Sequence, residues 1–93
     1  MIEVSGQLAK VTSVMTLASA KSLLEEGARL IADSVTDFDL AAVTEVDSSG
    51  LAVVFGWLRE AQRLGKTIRI VNLPQNLSSL AQVYGVSDLL PLT

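Results

Sequence analysis

The residues of this chain that could do chemistry by type and spacing are gathered in one stretch, Asp47-Ser48-Ser49-Gly50. A carboxylate beside two hydroxyls could serve nucleophilic catalysis or accept a phosphoryl group, and the two uses need different neighbours. A serine nucleophile needs a base to take its proton. The chain has no histidine and no cysteine, and no lysine stands near this stretch. Imidazole and thiolate chemistry are absent, which removes most hydrolase and metalloenzyme schemes. We therefore expect no enzyme, no catalytic residue, no metal and no cofactor.

What the stretch can do follows from its place. Thr44-Glu45-Val46-Asp47-Ser48-Ser49-Gly50 is a cluster of cap-forming residues directly before an apolar helical pattern, with Asp47 or Ser48 as the N-cap. One reading is structural: small polar side chains satisfy the free N–H groups at a helix start, and a carboxylate suits the positive end of its dipole. The other is regulatory. A hydroxyl at a helix start is open to a kinase, and phosphorylation would add about −1.5 to −2 charges there. The helix tolerates an anion at that end, so the charge would act on whatever docks against it.

The helix itself runs from about Gly50 to Leu64, with Leu51, Val54, Phe55, Leu58 and Ala61 on one stripe and Gly65 as its stop. The adjoining face carries Ala52, Val53, Gly56 and Trp57 on the side of Ser49, which is too apolar for open water. Trp57 beside small residues reads either as an anchor for a partner or as a ring packed on the domain's own edge. The partner-binding and regulatory set is then Asp47, Ser48, Ser49, Gly50, Ala52, Val53, Gly56 and Trp57.

These residues need elements to hold them. Glu3 to Leu8 reads as an opening strand weakened by Gly6. From Thr16, the residues Leu17, Ala20, Leu23, Leu24 and Ala28 recur at helical steps, and Gly27 either ends this helix or lies inside one that continues to Asp33. Val35 to Leu40 reads as a strand with Phe38 and Leu40 inward and Asp37 and Asp39 on the wet side. Thr67 to Val71 is a β-branched strand between Gly65 and Pro74, and Asn76 to Tyr84 a last helix stopped by Gly85. Strand and helix alternate three times. That order predicts an α/β domain with a small, mostly parallel sheet and helices packed on it.

Composition bounds the rest. With 93 residues, one domain over residues 1–93 is expected. Only 4% of residues are aromatic against 49% hydrophobic, so the core must be aliphatic. A net charge of −3 with scattered basic residues argues against a nucleic-acid surface. No stretch approaches the ~20 apolar residues of a membrane span, and the expected location is the cytoplasm. The mean hydropathy of +0.46 is high for such a chain and points to apolar surface covered by a partner.

Asp47-Ser48-Ser49-Gly50-Leu51-Ala52, preceded by Val43-Thr44-Glu45-Val46 and followed by the strand Ile68-Arg69-Ile70-Val71, resembles the STAS family shared with anti-sigma factor antagonists. The resemblance extends from Val4-Ser5-Gly6 to Leu80. The short length and the ending Leu80-Ala81-Gln82-Val83-Tyr84-Gly85-Val86, then Asp88-Leu89-Leu90-Pro91, are most similar to the MlaB-type STAS subunits of phospholipid-transporting ABC complexes. The resemblance implies a non-catalytic subunit that binds and supports the cytoplasmic ABC ATPase, in a complex with a permease and a substrate-binding subunit. It further implies a role in outer-membrane lipid asymmetry and a position at the inner face of the inner membrane through those partners. The family's functional hydroxyl, phosphorylated in the antagonists, falls on Ser48, with Ser49 as second choice, and Asp47 orients the loop. Where many members carry Gly-Glu-Leu-Asp, this chain has Gly6-Gln7-Leu8-Ala9. Losing both acids favours a constitutive subunit over the alternative, an anti-sigma factor antagonist switched by phosphorylation.

Overall fold

The computed structural model describes residues 1–90. Its first difference from expectation is at the start, where residues 2–11 form a hairpin instead of one strand. Ile2–Ser5 (β1) and Leu8–Val11 (β2) pair antiparallel, Ile2 opposite Val11 and Ser5 opposite Leu8. Gly6 and Gln7 make the turn, and Gly6 takes φ 62, a conformation open to glycine at no steric cost.

Among the described residues the elements that follow are α1 (Leu17–Asp33), β3 (Asp37–Asp39), α2 (Ser48–Arg63), β4 (Arg69–Val71) and α3 (Gln75–Val83), with a 3-10 turn at Ser87–Leu89. The sheet order is β1-β2-β3-β4. Pairing of β2 with β3 and of β3 with β4 is parallel, with Ala9 opposite Phe38 and Phe38 opposite Ile70. This is the expected α/β architecture. Parallel neighbours need crossover connections, and α1 and α2 supply them. The two helices therefore run in the same sense and pack against each other.

One face of the sheet carries Ala9, Val11, Phe38, Leu40 and Ile70, all fully buried beneath the helices. The other face is polar. There the Arg69 guanidinium meets the Asp37 carboxylate at 2.7 Å, and the Asn72 amide donates to Asp39 at 3.0 Å. Burying each large aliphatic or aromatic side chain stabilises the fold by roughly 1.5–3 kcal/mol, so the single apolar face supplies most of what holds the domain.

Helix α1 continues through Gly27 and settles that alternative. Its buried stripe is Leu23, Gly27 and Ile31, which corrects the face expected from spacing. Leu17 is 76% exposed and Leu24 38%. The reason is Trp57. A Cβ on Gly27 would lie 2.1 Å from Trp57 Nε1, so the helix turns its glycine toward the indole. Trp57 is fully buried, stacks on Phe38 at 4.3 Å between ring centres, and donates from Nε1 to the Leu23 carbonyl at 3.0 Å. It is a core residue, and the reading of it as a partner anchor is withdrawn. Val53, at 2% exposure, joins the same core.

The helix ends are tied as well. Lys66, just past α2, donates from Nζ to the Ile31 and Ala32 carbonyls at 2.7 and 3.1 Å. A cation there satisfies carbonyls that the last turn of α1 leaves free. Pro91 of the closing segment lies outside the described residues.

Candidate functional site

The Asp47 segment is built against the stretch that leads into α1. Met15 and Val46 form a parallel bridge; the Met15 N–H donates to the Glu45 carbonyl at 2.9 Å and the Asp47 N–H to the Met15 carbonyl at 3.2 Å. Asp47 is the N-cap, with φ −135 and ψ −170. Its Oδ1 accepts from the Ser49 N–H at 2.8 Å and its Oδ2 from the Leu17 N–H at 3.1 Å. One carboxylate thus holds the first turns of both helices. Partial burial works against its ionised form, yet the N–H groups of Leu17, Ser49 and Gly50 outweigh this and keep the carboxyl below its usual range.

Gly50 lets that junction close. A Cβ there would stand 2.4 Å from the Met15 carbonyl oxygen, a backbone atom with no room to yield. Its place is therefore fixed by approach, and it contributes no exposed surface.

Ser48 is exposed, and among the described residues its hydroxyl forms no side-chain hydrogen bond. Ser49 is half-buried and faces α1. Between the N-terminal halves of the two helices lies a groove of about 340 Å³, with Ala20 and Leu24 on one wall and Ser49, Ala52 and the edge of Val53 on the other. Lys21 and Arg59 border it. Gly56 lies beneath Leu24, whose Cδ1 would be 2.4 Å from a Cβ at that position.

The structure therefore sets Ser49 and Ala52 in the groove wall and leaves Ser48 exposed at the start of α2, next to the capping Asp47. Val53 also lines the groove, Gly56 is buried against Leu24, and Trp57 is fully buried in the core. The contribution of α1 was missed from sequence. Leu17, Ala20, Lys21 and Leu24 follow the i, i+3, i+4, i+7 spacing of one helix face, and spacing alone counts their apolar members as inward. Arg59, seven residues after Ala52, carried the same signal on α2.

Family comparison decides what kind of domain this is. The family model described as Mlab, STAS domain, matches residues 3–91. The chain belongs to the STAS family. The MlaB protein of Haemophilus influenzae, described as an intermembrane phospholipid transport system binding protein, is 38% identical over 55 residues. That match covers 59% of this chain, and the chain spans 52% of the relative's length. The Bacillus anti-sigma factor antagonist SpoIIAA shares the fold. In its unphosphorylated form it superimposes with a TM-score of 0.72 at 15% identity, covering 100% of this chain and 86% of that one. Its phosphorylated form gives 0.67 at 16% identity, covering 100% and 89%.

Within this STAS domain the departures from the family pattern also find their places. Gln7 sits in the hairpin turn, and Ala9 is fully buried with Val4 and Phe38 as strand neighbours. An aspartate at Ala9 would put a carboxylate into an apolar layer without a partner, at a cost that favours its neutral form.

Proposed function

We propose that this STAS domain is a non-catalytic accessory subunit that binds and supports the cytoplasmic ATPase of a phospholipid-transporting, Mla-type ABC complex. The permease and substrate-binding subunits complete the assembly, which maintains outer-membrane lipid asymmetry. The observation that carries this reading is the open groove walled by Ser49 and Ala52, with Ser48 exposed at the start of the same helix, on a chain 38% identical to MlaB in the matched region. A hydroxyl and a methyl-sized residue on a rigid first turn let a partner come close, and Asp47 fixes that turn against α1.

A catalytic role has little support. The Asp47 carboxylate is occupied by backbone N–H groups, so it is a poor base for the serine hydroxyls. Among the described residues, no helix is long and apolar enough to cross a membrane. Association with the inner face of the inner membrane is accordingly proposed to run through the partners.

The test is recovery of the tagged domain at native level followed by mass spectrometry. An ABC ATPase and its permease are expected with the wild type. Ser48→Arg and Ala52→Arg, both at exposed positions, should abolish recovery while the domain stays folded by circular dichroism. Binding retained by both variants would remove the assignment of this face.

The second reading, an anti-sigma factor antagonist, draws on the shared fold and on the free Ser48 hydroxyl. It requires phosphate on Ser48 or Ser49 after incubation with an anti-sigma kinase and ATP. Recovery of such a kinase in place of the ATPase would favour it.

A further inference from the structure

The groove has a charge character that the molecule as a whole does not. The chain carries a net charge of −3, with seven basic residues. Three of these are occupied within the fold: Arg63 pairs with Glu60, Arg69 with Asp37, and Lys66 bonds the carbonyls at the end of α1. Among the described residues, Lys10, Lys21, Arg29 and Arg59 form no ion pair. Two of those four, Lys21 and Arg59, border the same groove. Among the described residues no carboxylate lines it, and the nearby Asp47 is committed to N–H groups.

The walls decide the shape of what enters. They are side chains of two α-helices whose backbone groups are bonded internally, so an extended segment would find no main-chain partners there. A helix brings its own hydrogen bonds and needs only apolar contact, which Ala20, Leu24, Ala52 and Val53 provide. Leu17, at the head of α1, extends the same apolar row.

We infer that the groove receives an amphipathic helix of the partner ATPase whose apolar face lies on Leu24 and Ala52 and whose carboxylate side chain is held between Lys21 and Arg59. This rests on the reading of the face as the ATPase contact. The apolar contact supplies affinity, and the two cations select an acidic helix and speed its capture. Charge at an interface rim governs specificity and association rate more than total affinity.

The experiment uses the ATPase recovered with the wild-type domain and measures its affinity for three variants at low and high salt. K21E/R59E should bind at least about tenfold more weakly at low salt, because both attraction and selectivity are reversed. K21Q/R59Q should fall between it and the wild type, and wild-type binding should weaken as salt rises. Ala52→Trp, which fills the groove, should abolish binding at any salt. Lys21 and Arg59 are exposed, so unfolding midpoints of the charge variants should match the wild type. A photo-crosslinker at Ser48 should then map to an ATPase helix, and changing its central carboxylate to lysine should restore binding to K21E/R59E.

If both charge variants bind within about twofold of the wild type while Ala52→Trp does not bind, the groove is the contact and the acidic helix is wrong. Binding retained by Ala52→Trp, or no ATPase with the wild type, overturns the contact surface and this inference together.

Discussion

Trp57 couples three parts of the domain through one side chain. Its ring stacks on Phe38 of the sheet, its Nε1 bonds the Leu23 carbonyl of α1, and its edge presses on Gly27. Truncation removes the largest fully buried side chain and leaves a cavity bounded by elements that cannot collapse independently. Trp57→Ala should therefore cost about 3–5 kcal/mol, read as a shifted urea midpoint. That is a large share of the roughly 5–15 kcal/mol available to a typical domain. If the variant instead kept wild-type stability and lost only its partner, the ring would have to be reassigned to the interface. Asp47 acts at the same scale with a different sign of evidence. Asp47→Ala leaves the Ser49 and Leu17 N–H groups without their acceptor, so exchange protection at both should fall, and partner recovery should fall with it.

At the scale of elements, α1 and α2 meet through glycine. Replacing Gly27 by alanine raises intrinsic helix propensity by about 0.8–1 kcal/mol. The same methyl would lie 2.1 to 2.7 Å from three indole atoms of a ring that is fully buried. Overpacking of this kind typically costs about 1–3 kcal/mol, so the clash outweighs propensity. Gly27→Ala should lower the thermal midpoint, and a raised midpoint would show that the two helices can separate without loss. The same junction explains what could be read in the sequence. Periodicity located both helices and the α2 stripe of Leu51, Val54 and Ala61, because long apolar repeats survive any tertiary context. It assigned Leu17 and Leu24 inward because spacing alone counts leucine as core and glycine as spacer. The packed face of α1 is instead set by where an indole needs room. Gly6 was legible as a weak point in a strand, but the hairpin depends on Ala9 and Val11 pairing back onto Val4 and Ile2, a contact with no local mark beyond that glycine. The Asp47 segment was legible at the level of its cap. The groove was not, since its walls come from two helices, tied where Leu17 meets Asp47 thirty residues on, and belong to neither alone.

For the molecule as a whole, the charges predict how stability answers to acid. With no histidine, the chain has no side chain that ordinarily titrates between about pH 5 and 8, so stability should be flat there. Below that range three aspartates matter. The Arg69 guanidinium holds Asp37 below the usual carboxylate value, and the Asn72 amide does so for Asp39, helped by the Ala41 N–H. At Asp47 burial opposes ionisation, but the helix-start N–H groups prevail. Each carboxyl binds its proton less readily folded than unfolded, so acid favours the unfolded chain. Their contribution is complete above the ordinary value of 3.8 and is lost as pH falls through it toward the lower folded values. The urea midpoint should therefore hold steady from neutral pH to about pH 5 and then drop. Asp37→Asn and Asp47→Asn should each start lower at neutral pH and fall less steeply in acid. The two differ in consequence. Asp37 secures β4 to β3 on the polar sheet face, the face turned away from the helices that form the groove, so its loss should leave partner recovery intact wherever the domain is folded. Asp47 joins the starts of α1 and α2, so Asp47→Asn should loosen the groove and lower partner recovery at neutral pH, where the domain is folded. A midpoint that rises on acidification would mean that burial, not hydrogen bonding, governs these carboxyls.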